Sequence, residues 1–489
     1  MQAVFCYNHG SMEPPAYLNI AQKLESQILS GALGLGVRIP SVRVLSAQQD
    51  VSVATILRAY EWLEARGCIK AHQRSGYYVR APFQTLIPEP EFRPVTPYPI
   101  NVGDIPSMDE ILSAARTPDL ISLGASAPNV DVFPAAKLNK ILRRVICESP
   151  NHSASYDFPP GRIELRREIA RRSLAFGGEF NPNDIVVTSG GIEAIVLCLR
   201  AVARPGQVVA IEIPTYYGVL AAIQSLGLKV LEIPTHHNEG IDLGELERSL
   251  RKHKVAALLT MPNCNSPLGH VMNESNKQRL VDLCERHHVP VIENDVFREL
   301  AFGETFPRPA KSYDNTGNVL LCSSFSKTLG PGFRVGWVHA GKYRDAVTKL
   351  KFTSSLATAS LPQLVVAEFL ASGGYERHVR RIRYTFSDHV QAFTHAITKC
   401  FPSGTKMTRP RGGYILWVQL PKRASSEVLF RRALKRGVFV TPGSIFSVKQ
   451  QFRNCLRVNA GMLWSSKTAG ALRVIGELAS ERVSSAKRG

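Results

Sequence analysis

The stretch Ser323-Ser324-Phe325-Ser326-Lys327-Thr328-Leu329-Gly330-Pro331-Gly332-Phe333-Arg334 sets an amine, hydroxyls and a guanidinium behind an apolar, strand-like run from Asn318 to Cys322. That set suits an aldehyde that also carries a phosphate, and pyridoxal phosphate answers to the description. The Lys327 amine would bond the aldehyde as a Schiff base. The Ser324 and Ser326 hydroxyls would donate to the phosphate, and the Arg334 guanidinium would fork onto its oxygens. The competing reading is a Ser-rich turn with a surface lysine.

Such residues need a frame. From Leu120 onward, apolar runs of strand length alternate with helical patterns: Ile185 to Thr188, Val208 to Ile213, Lys229 to Ile233, Val255 to Thr260, Val289 to Glu293 and Asn318 to Cys322. The alternation predicts an α/β fold with a mostly parallel sheet covered on both faces. Ligands in such sheets bind beyond the carboxyl ends of the strands. The polar residues of interest stand there. Thr188-Ser189-Gly190-Gly191-Ile192-Glu193 follows one run and opens a helix, and bare amides at a helix N-terminus suit a phosphate. Pro214-Thr215-Tyr216-Tyr217-Gly218 closes the next run.

The Lys327 segment resembles the cofactor-lysine motif of fold-type I aminotransferases. The resemblance implies that Gly190, Gly191 and Ile192 cup the cofactor phosphate and that Tyr216 stacks on the pyridine ring. It implies that Tyr156, in Tyr156-Asp157-Phe158-Pro159-Pro160-Gly161, reaches the phosphate of a neighbouring subunit. It also implies that Arg457, in Leu456-Arg457-Val458, grips a substrate carboxylate with two parallel hydrogen bonds. A surface turn tyrosine at 216 and an ion-pair arginine at 457 are the plain alternatives.

Two sites depart from the aminotransferase pattern. Relatives carry Asn-Pro-x-Gly, whose Asn bonds the phenolic oxygen of the cofactor. Here the text is Asn265-Ser266-Pro267-Leu268-Gly269, with Ser266 at the Asn position and Asn265 displaced by one. Relatives also carry an Asp three residues before a Tyr. In Asn294-Asp295-Val296-Phe297, Asn294 takes the place of the carboxylate that keeps the pyridine nitrogen protonated, Asp295 stands beside it, and Phe297 replaces the Tyr. Without that carboxylate the ring is a weaker electron sink, so cofactor binding can persist while transamination slows.

A second unit precedes this one. Tyr17, Ile20, Ala21, Leu24 and Ile28 recur at helical spacing, and Gly31 stops the run. Ser41 is placed as the N-cap of a short helix through Ala47. Val51-Ser52 opens another helix with Val53, Ile56, Tyr60 and Leu63 on one apolar face, ended by Gly67. Cys68 to Ala71 and Tyr77 to Arg80 read as two strands about the turn Gln73-Arg74-Ser75-Gly76. This outline, with Arg38-Ile39-Pro40-Ser41-Val42-Arg43 and the wing Ser75-Gly76-Tyr77-Tyr78-Val79, resembles the winged helix-turn-helix of GntR-type DNA-binding domains. The resemblance implies double-stranded DNA as partner and Arg38, Arg43, Ser52, Thr55, Arg58 and Arg74 as contacts. The family often has Arg after the Val-Ser pair, where this chain has Val53-Ala54. A helical protein-interaction module is the alternative.

Composition bounds the rest. The chain has 489 residues and a formal net charge of +20. Residues 1–80 hold eight Lys/Arg and five Asp/Glu, so the basicity is spread over the larger part of the chain. Arg377, Arg380, Arg381 and Arg383 read as a solvated helix face. No apolar run reaches a membrane span, no secretory signal is visible, and nine cysteines without a Cys-x-x-Cys pair fit reduced thiols in a cytosol. No metal site is expected. Pro82, Pro88, Pro90, Pro94, Pro97 and Pro99 mark a stiff linker, and Ser107 to Ala115 predicts a short helix leading into the body.

The expected division is a winged helix-turn-helix over 12–81, a Pro-rich linker over 82–118 and an aminotransferase-like body over 119–489, a large domain followed by a smaller C-terminal α+β domain. Together the parts resemble the MocR subgroup of GntR regulators. That implies a cytoplasmic transcriptional regulator that senses pyridoxal phosphate, an amino acid or amine, or both, and forms a head-to-tail homodimer. A working aminotransferase carrying a DNA-binding appendage is the second hypothesis.

Overall fold

A computed structural model of the chain describes residues 15–30, 32–34, 36–65, 67–72, 75–79, 87–91, 96–105, 107–148, 150–303 and 305–485. The chain divides into two compact units between Leu86 and Ile87.

The first unit is three helices and a hairpin: α1 (Ala16–Leu29), α2 (Val42–Gln49), α3 (Val53–Ala65), β1 (Ile69–His72) and β2 (Gly76–Val79). The Ser41 hydroxyl accepts from the Val44 N–H at 3.4 Å and starts α2 as its N-cap. The core joins Ile20, Ala21, Leu24 and Ile28 of α1 to Leu45 of α2 and to Ile56, Tyr60 and Leu63 of α3. Tyr60 keeps its hydroxyl satisfied by donating to the Pro40 carbonyl at 2.7 Å. Val53, expected on the same apolar face, is 45% exposed instead. It is the first residue of α3, where the helix has not yet turned toward the core.

The second unit is built on a nine-stranded sheet. Its strands, in chain order with those of the smaller sheets, are β3 (Ile100–Asn101), β4 (Ile121–Ser122), β5 (Ile185–Thr188), β6 (Val208–Ile213), β7 (Lys229–His236), β8 (Gly240–Ile241), β9 (Val255–Thr260), β10 (Val291–Asn294), β11 (Val319–Ser324), β12 (Gly336–His339), β13 (Lys406–Met407), β14 (Ile415–Gln419), β15 (Val438–Phe439), β16 (Thr441–Pro442) and β17 (Cys455–Asn459). The order is β3-β7-β6-β9-β10-β11-β12-β5, with β8 on β7. The pairs from β7 through β11 are parallel. Strand β12, which the apolar pattern did not reveal, lies antiparallel between β11 and β5. It brings the turn after β5 beside the one after β11.

A second sheet, β13-β14-β17-β16, is wholly antiparallel and carries Arg457 on β17. Of the Pro-rich stretch, the described residues 87–91 and 96–99 belong to this unit, while Pro82 and Pro94 lie outside the described residues. The helix Met108–Arg116 buries Ile111 and Ala114 in a cluster with Trp417, Phe430, Phe439 and Phe446. Apolar side chains on one face of that helix are the physical reason, since leaving them in water costs free energy in proportion to their area. Among the described residues no helix is long and apolar enough to cross a membrane, and no group of three or more His, Cys, Asp or Glu could hold a metal ion.

Candidate functional site

The carboxyl ends of β5, β6, β10 and β11 deliver the residues singled out in the sequence. After β11 a short helical turn, Phe325–Lys327, aims Lys327 inward, and its Nζ donates to the Ser126 carbonyl at 2.7 Å. Desolvation, with the nearby charges of Arg457 and Arg334, pulls the amine down to about 8. Near neutrality this lysine therefore holds a share of reactive neutral amine that an exposed lysine lacks.

The phosphate end is assembled from two turns. Gly190 adopts φ +87° at the N-cap of the helix Gly191–Val202, a conformation open to glycine. The first amides of that helix have no partner within it, so they are available to an anion. Arg334, itself left-handed at φ +53°, folds back so that Nη2 donates to the Ser189 carbonyl at 2.9 Å. A Cβ on Gly190 would come within 2.4 Å of that Nη2. The cradle thus depends on a bare backbone. Ser324 is buried, and its hydroxyl oxygen would lie 3.7 Å from a Cβ on Gly191. Ser326 is half-buried on the same turn, and Ile192 is 40% exposed.

At the ring end, the Asn294 side-chain oxygen is buried without a hydrogen-bond partner. Asp295 is spoken for: Oδ2 accepts from Arg298 Nε at 2.5 Å and Oδ1 lies 3.4 Å from Asn263 Nδ2. Its carboxylate is therefore tied to an arginine in the core, which leaves the ring-end position to Asn294. Asn265 has likewise committed both ends of its amide, donating to Glu212 at 2.9 Å and accepting from the Leu268 N–H at 3.0 Å. It braces its own loop, and Glu212, fully buried, is pushed up to about 7 by desolvation. Ser266, at the Asn position of relatives, is buried beside it. Phe297 lies under the lysine, with Nζ 5.4 Å from its ring centroid.

Arg457 is fully buried, and its Nε and Nη1 have no partner, while Nη2 donates to the Gly124 carbonyl. Aromatic rings flank it, Tyr217 at 5.4 Å and Phe446 at 5.2 Å. A buried cation with two free N–H groups is suited to a carboxylate. Tyr216 is half-buried against Tyr217, centroids 4.7 Å apart, and desolvation raises its phenol to about 12. Tyr156 is elsewhere, 68% exposed in a surface file with Phe158 and Phe352.

Sequence reasoning missed Tyr414 and Ser126. The fully buried Tyr414 donates to the Ser126 carbonyl at 2.9 Å, the same oxygen that accepts from Lys327. Nothing in a Gly-Gly-Tyr strand start signals that contact, which joins segments 288 residues apart.

These residues fit pyridoxal phosphate. Gly190 and Arg334 leave a cradle that a side chain would fill, Lys327 offers a desolvated amine, and unpartnered buried atoms of Asn294 and Arg457 remain to be satisfied.

In the first unit, Arg38 and Arg43 are exposed, at the start of the hairpin contact and on α2. Ser52 is exposed but caps α3, accepting from the Thr55 N–H at 3.1 Å and sharing a 2.8 Å bond with the Thr55 hydroxyl. Arg58 stacks 4.5 Å over the Tyr17 ring. Arg74 lies outside the described residues. The exposed residues of α3 are Val53, Ala54, Leu57, Arg58 and Glu61, with one arginine among them. Arg377, Arg380 and Arg381 are exposed, as a solvated face requires, and Arg383 turns in over Phe306 at 4.9 Å.

Comparison with known proteins gives the same two parts. Residues 118–468 match the family model of aminotransferase class I and II, and residues 16–79 that of the bacterial regulatory proteins of the gntR family. YjiR of Escherichia coli, described as an uncharacterized HTH-type transcriptional regulator, is 36% identical over 94% of this chain and 98% of its own length. The 2-aminoadipate transaminase of Thermus thermophilus is 31% identical over 75% of this chain and 92% of its own. The crystal structure of Pyrococcus horikoshii kynurenine aminotransferase superposes with a TM-score of 0.72 at 29% identity, covering 78% of this chain and 95% of that one.

Proposed function

Because the chain belongs to the aminotransferase class I and II family, in the MocR-type group where that fold follows a GntR-type head, we propose a DNA-binding transcriptional regulator whose body senses pyridoxal phosphate, an amino acid or amine, or both. The head (12–81) binds double-stranded DNA, the segment 82–118 connects, and the body (119–489) holds the cofactor. A cytoplasmic, head-to-tail homodimer completes the reading, with the exposed Tyr156 turned toward the partner's site.

The observation that carries this function is Asn294. Bound in the site, pyridoxal phosphate supplies a reactive carbonyl and a ring that draws electrons from an attached amine. Its power as a sink depends on a charged ring nitrogen. The Asn294 amide is neutral and cannot stabilise that charge as a carboxylate does, and Asp295 is held by Arg298. Lys327 and Arg457 therefore bind and orient an amino compound, while proton removal is poorly supported. Binding without fast turnover is what a sensor needs.

The signal has a route. The Pro88 carbonyl accepts from the Met407 N–H at 2.9 Å, and Glu89 accepts from the Arg409 N–H at 3.1 Å. The same Glu89 meets Asn238 and His237, each at 3.4 Å, at the turn between β7 and β8. The connecting segment thus grips both sheets of the body. A shift of one sheet against the other pulls on it, provided a ligand prefers one arrangement.

The alternative, a working aminotransferase, draws on the intact Lys327 and Arg457. A spectral titration with amino acids and amines, followed by turnover assays on each compound that shifts the spectrum, tests the choice. Binding with slow turnover is expected. Turnover on the order of 1 per second or more would make the protein an enzyme.

A further inference from the structure

Lys327 and Tyr414 share one acceptor. Lys327 Nζ donates to the Ser126 carbonyl at 2.7 Å and the Tyr414 hydroxyl donates to it at 2.9 Å. A carbonyl oxygen offers two lone pairs, so both are in use, and two donors placed along them stand about 4–5 Å apart. Tyr414 is fully buried and is held edge-on against Phe297 at 5.3 Å and tilted against Phe386 at 4.7 Å. The ring has no room to swing its hydroxyl away. Ser126 therefore has a fixed second donor that arrives from the start of β14, far from the lysine loop in sequence.

We propose that Tyr414 is a positioning residue for Lys327, its hydroxyl occupying one lone pair of the Ser126 carbonyl so that this oxygen holds an ammonium at 327 less firmly than a free carbonyl would, which leaves the amine readier for a ligand's carbonyl group. The inference rests on the reading that Lys327 takes pyridoxal phosphate.

Capture of an aldehyde needs the lone pair of a neutral amine, and the aldehyde oxygen leaves as water. A carbonyl that already accepts one hydrogen bond is a poorer acceptor for a second. Bonds from a charged donor are about twice as strong as those from a neutral one. Weakening the acceptor therefore costs the ammonium more than the amine, and the balance moves toward the amine. The charged groups facing Lys327 act in the same direction, since Arg457 and Arg334 are both cations. Tyr414 is the one uncharged titratable group on the shared carbonyl, and burial raises its phenol far above the range in which it would ionise.

The test measures how fast the cofactor-free full chain takes up pyridoxal phosphate, followed by its visible band across pH. Wild type should reach half its maximal rate near the midpoint of Lys327. In Tyr414→Phe the freed carbonyl should hold the ammonium better. The midpoint should then rise by about 0.5–1 pH unit, and uptake near neutrality should fall about 3- to 10-fold. An unchanged or lowered midpoint overturns the proposal. Should Tyr414→Phe not fold, 3-fluorotyrosine at 414 decides the matter. It is a stronger donor with nearly the same shape, so the midpoint should fall, and a midpoint that stays or rises overturns the idea. Lys327→Ala separates the two levels. A Lys327→Ala protein that develops the same band as wild type refutes the cofactor reading itself. A colourless one alongside an unmoved Tyr414→Phe refutes only the role of Tyr414.

Discussion

The two units treat their polar residues in opposite ways. In the head, Arg38, Arg43 and Ser52 stand exposed over a small apolar core. In the body, Arg457, Asn294 and Ser324 are buried, and Arg457 and Asn294 keep unpartnered atoms. An exposed arginine costs little to maintain, because water solvates it until DNA arrives. A buried polar group without a partner costs about 1–3 kcal/mol, which is recovered only when a ligand satisfies it. The head is thus a graded reader of a large, highly charged partner. The body is a pocket prepared for one small ligand. Losses in the body should be nearly all-or-none, and those in the head should be partial.

Lys327→Ala is the sharpest test of the first half. The purified wild-type protein should be yellow, and borohydride should fix the cofactor at that lysine. Lys327→Ala should lose the band entirely. A mutant as coloured as wild type would show that the Lys327 amine is not the anchor. The next effect is a gain. Asn294→Asp returns a carboxylate to the ring end, and we expect amino-acid turnover to rise on the order of 100-fold, the scale of a positioned ionisable group. Turnover assays that show no rise would mean that the ring end is not what limits the chemistry.

The contrast also explains what could be read from the chain alone. Strands β5, β6, β7, β9, β10 and β11 were legible because a strand buried on both faces is a continuous apolar run, whereas the two-residue β8 made no pattern. Lys327 and Gly190 were legible because each stands in the turn that follows such a run, and Arg334 because it ends the glycine- and proline-rich turn after Lys327. Strand β12, Gly-Trp-Val-His, was not, since four residues of mixed character make no pattern. The fate of Asn294 against Asp295 turned on Arg298, three residues on, and no spacing rule favours one neighbour over the other. Tyr414 was invisible because its partner is distant in sequence and is a backbone carbonyl. The exposed face of the head was half legible. The caps and the hairpin followed from Ser41 and Gly76. The use of Ser52 as a cap for α3, and of Arg58 as a lid on Tyr17, depended on packing.

In the head the expected losses are partial. Arg43 is exposed on α2, with no partner of its own to give up. If it meets a base edge, Arg43→Ala should weaken operator binding by about 1–3 kcal/mol. Affinity should also fall steeply with salt in both proteins, because phosphate contacts release counterions. A mobility-shift titration that gives equal affinities would remove Arg43 from the reading face. Complete loss would contradict the graded character assigned to this unit.

The smallest effect should lie where the connecting segment grips the body. Burial works against the Glu89 carboxylate, but bonds from His237, Asn238 and the Arg409 N–H outweigh it and hold the group below the usual carboxylate range. A depressed carboxylate contributes stability that is present above its unfolded value and is lost as pH falls through its folded value. At neutral pH the contribution of the Glu89 carboxylate is therefore present, and it is lost only as the pH falls into the acid range. The site is partly open to water, so screening limits the contribution to about 0.5–1 kcal/mol. Glu89→Ala should leave the visible band and the DNA affinity of the ligand-free protein nearly unchanged. It should reduce the effect of ligand on DNA affinity by about 2- to 5-fold, which is the same energy expressed as a ratio. DNA titrations with and without pyridoxal phosphate, in wild type and Glu89→Ala, measure that ratio directly. An undiminished ligand effect in the mutant would mean that the two units communicate by another path, and that the clasp on both sheets only anchors the chain.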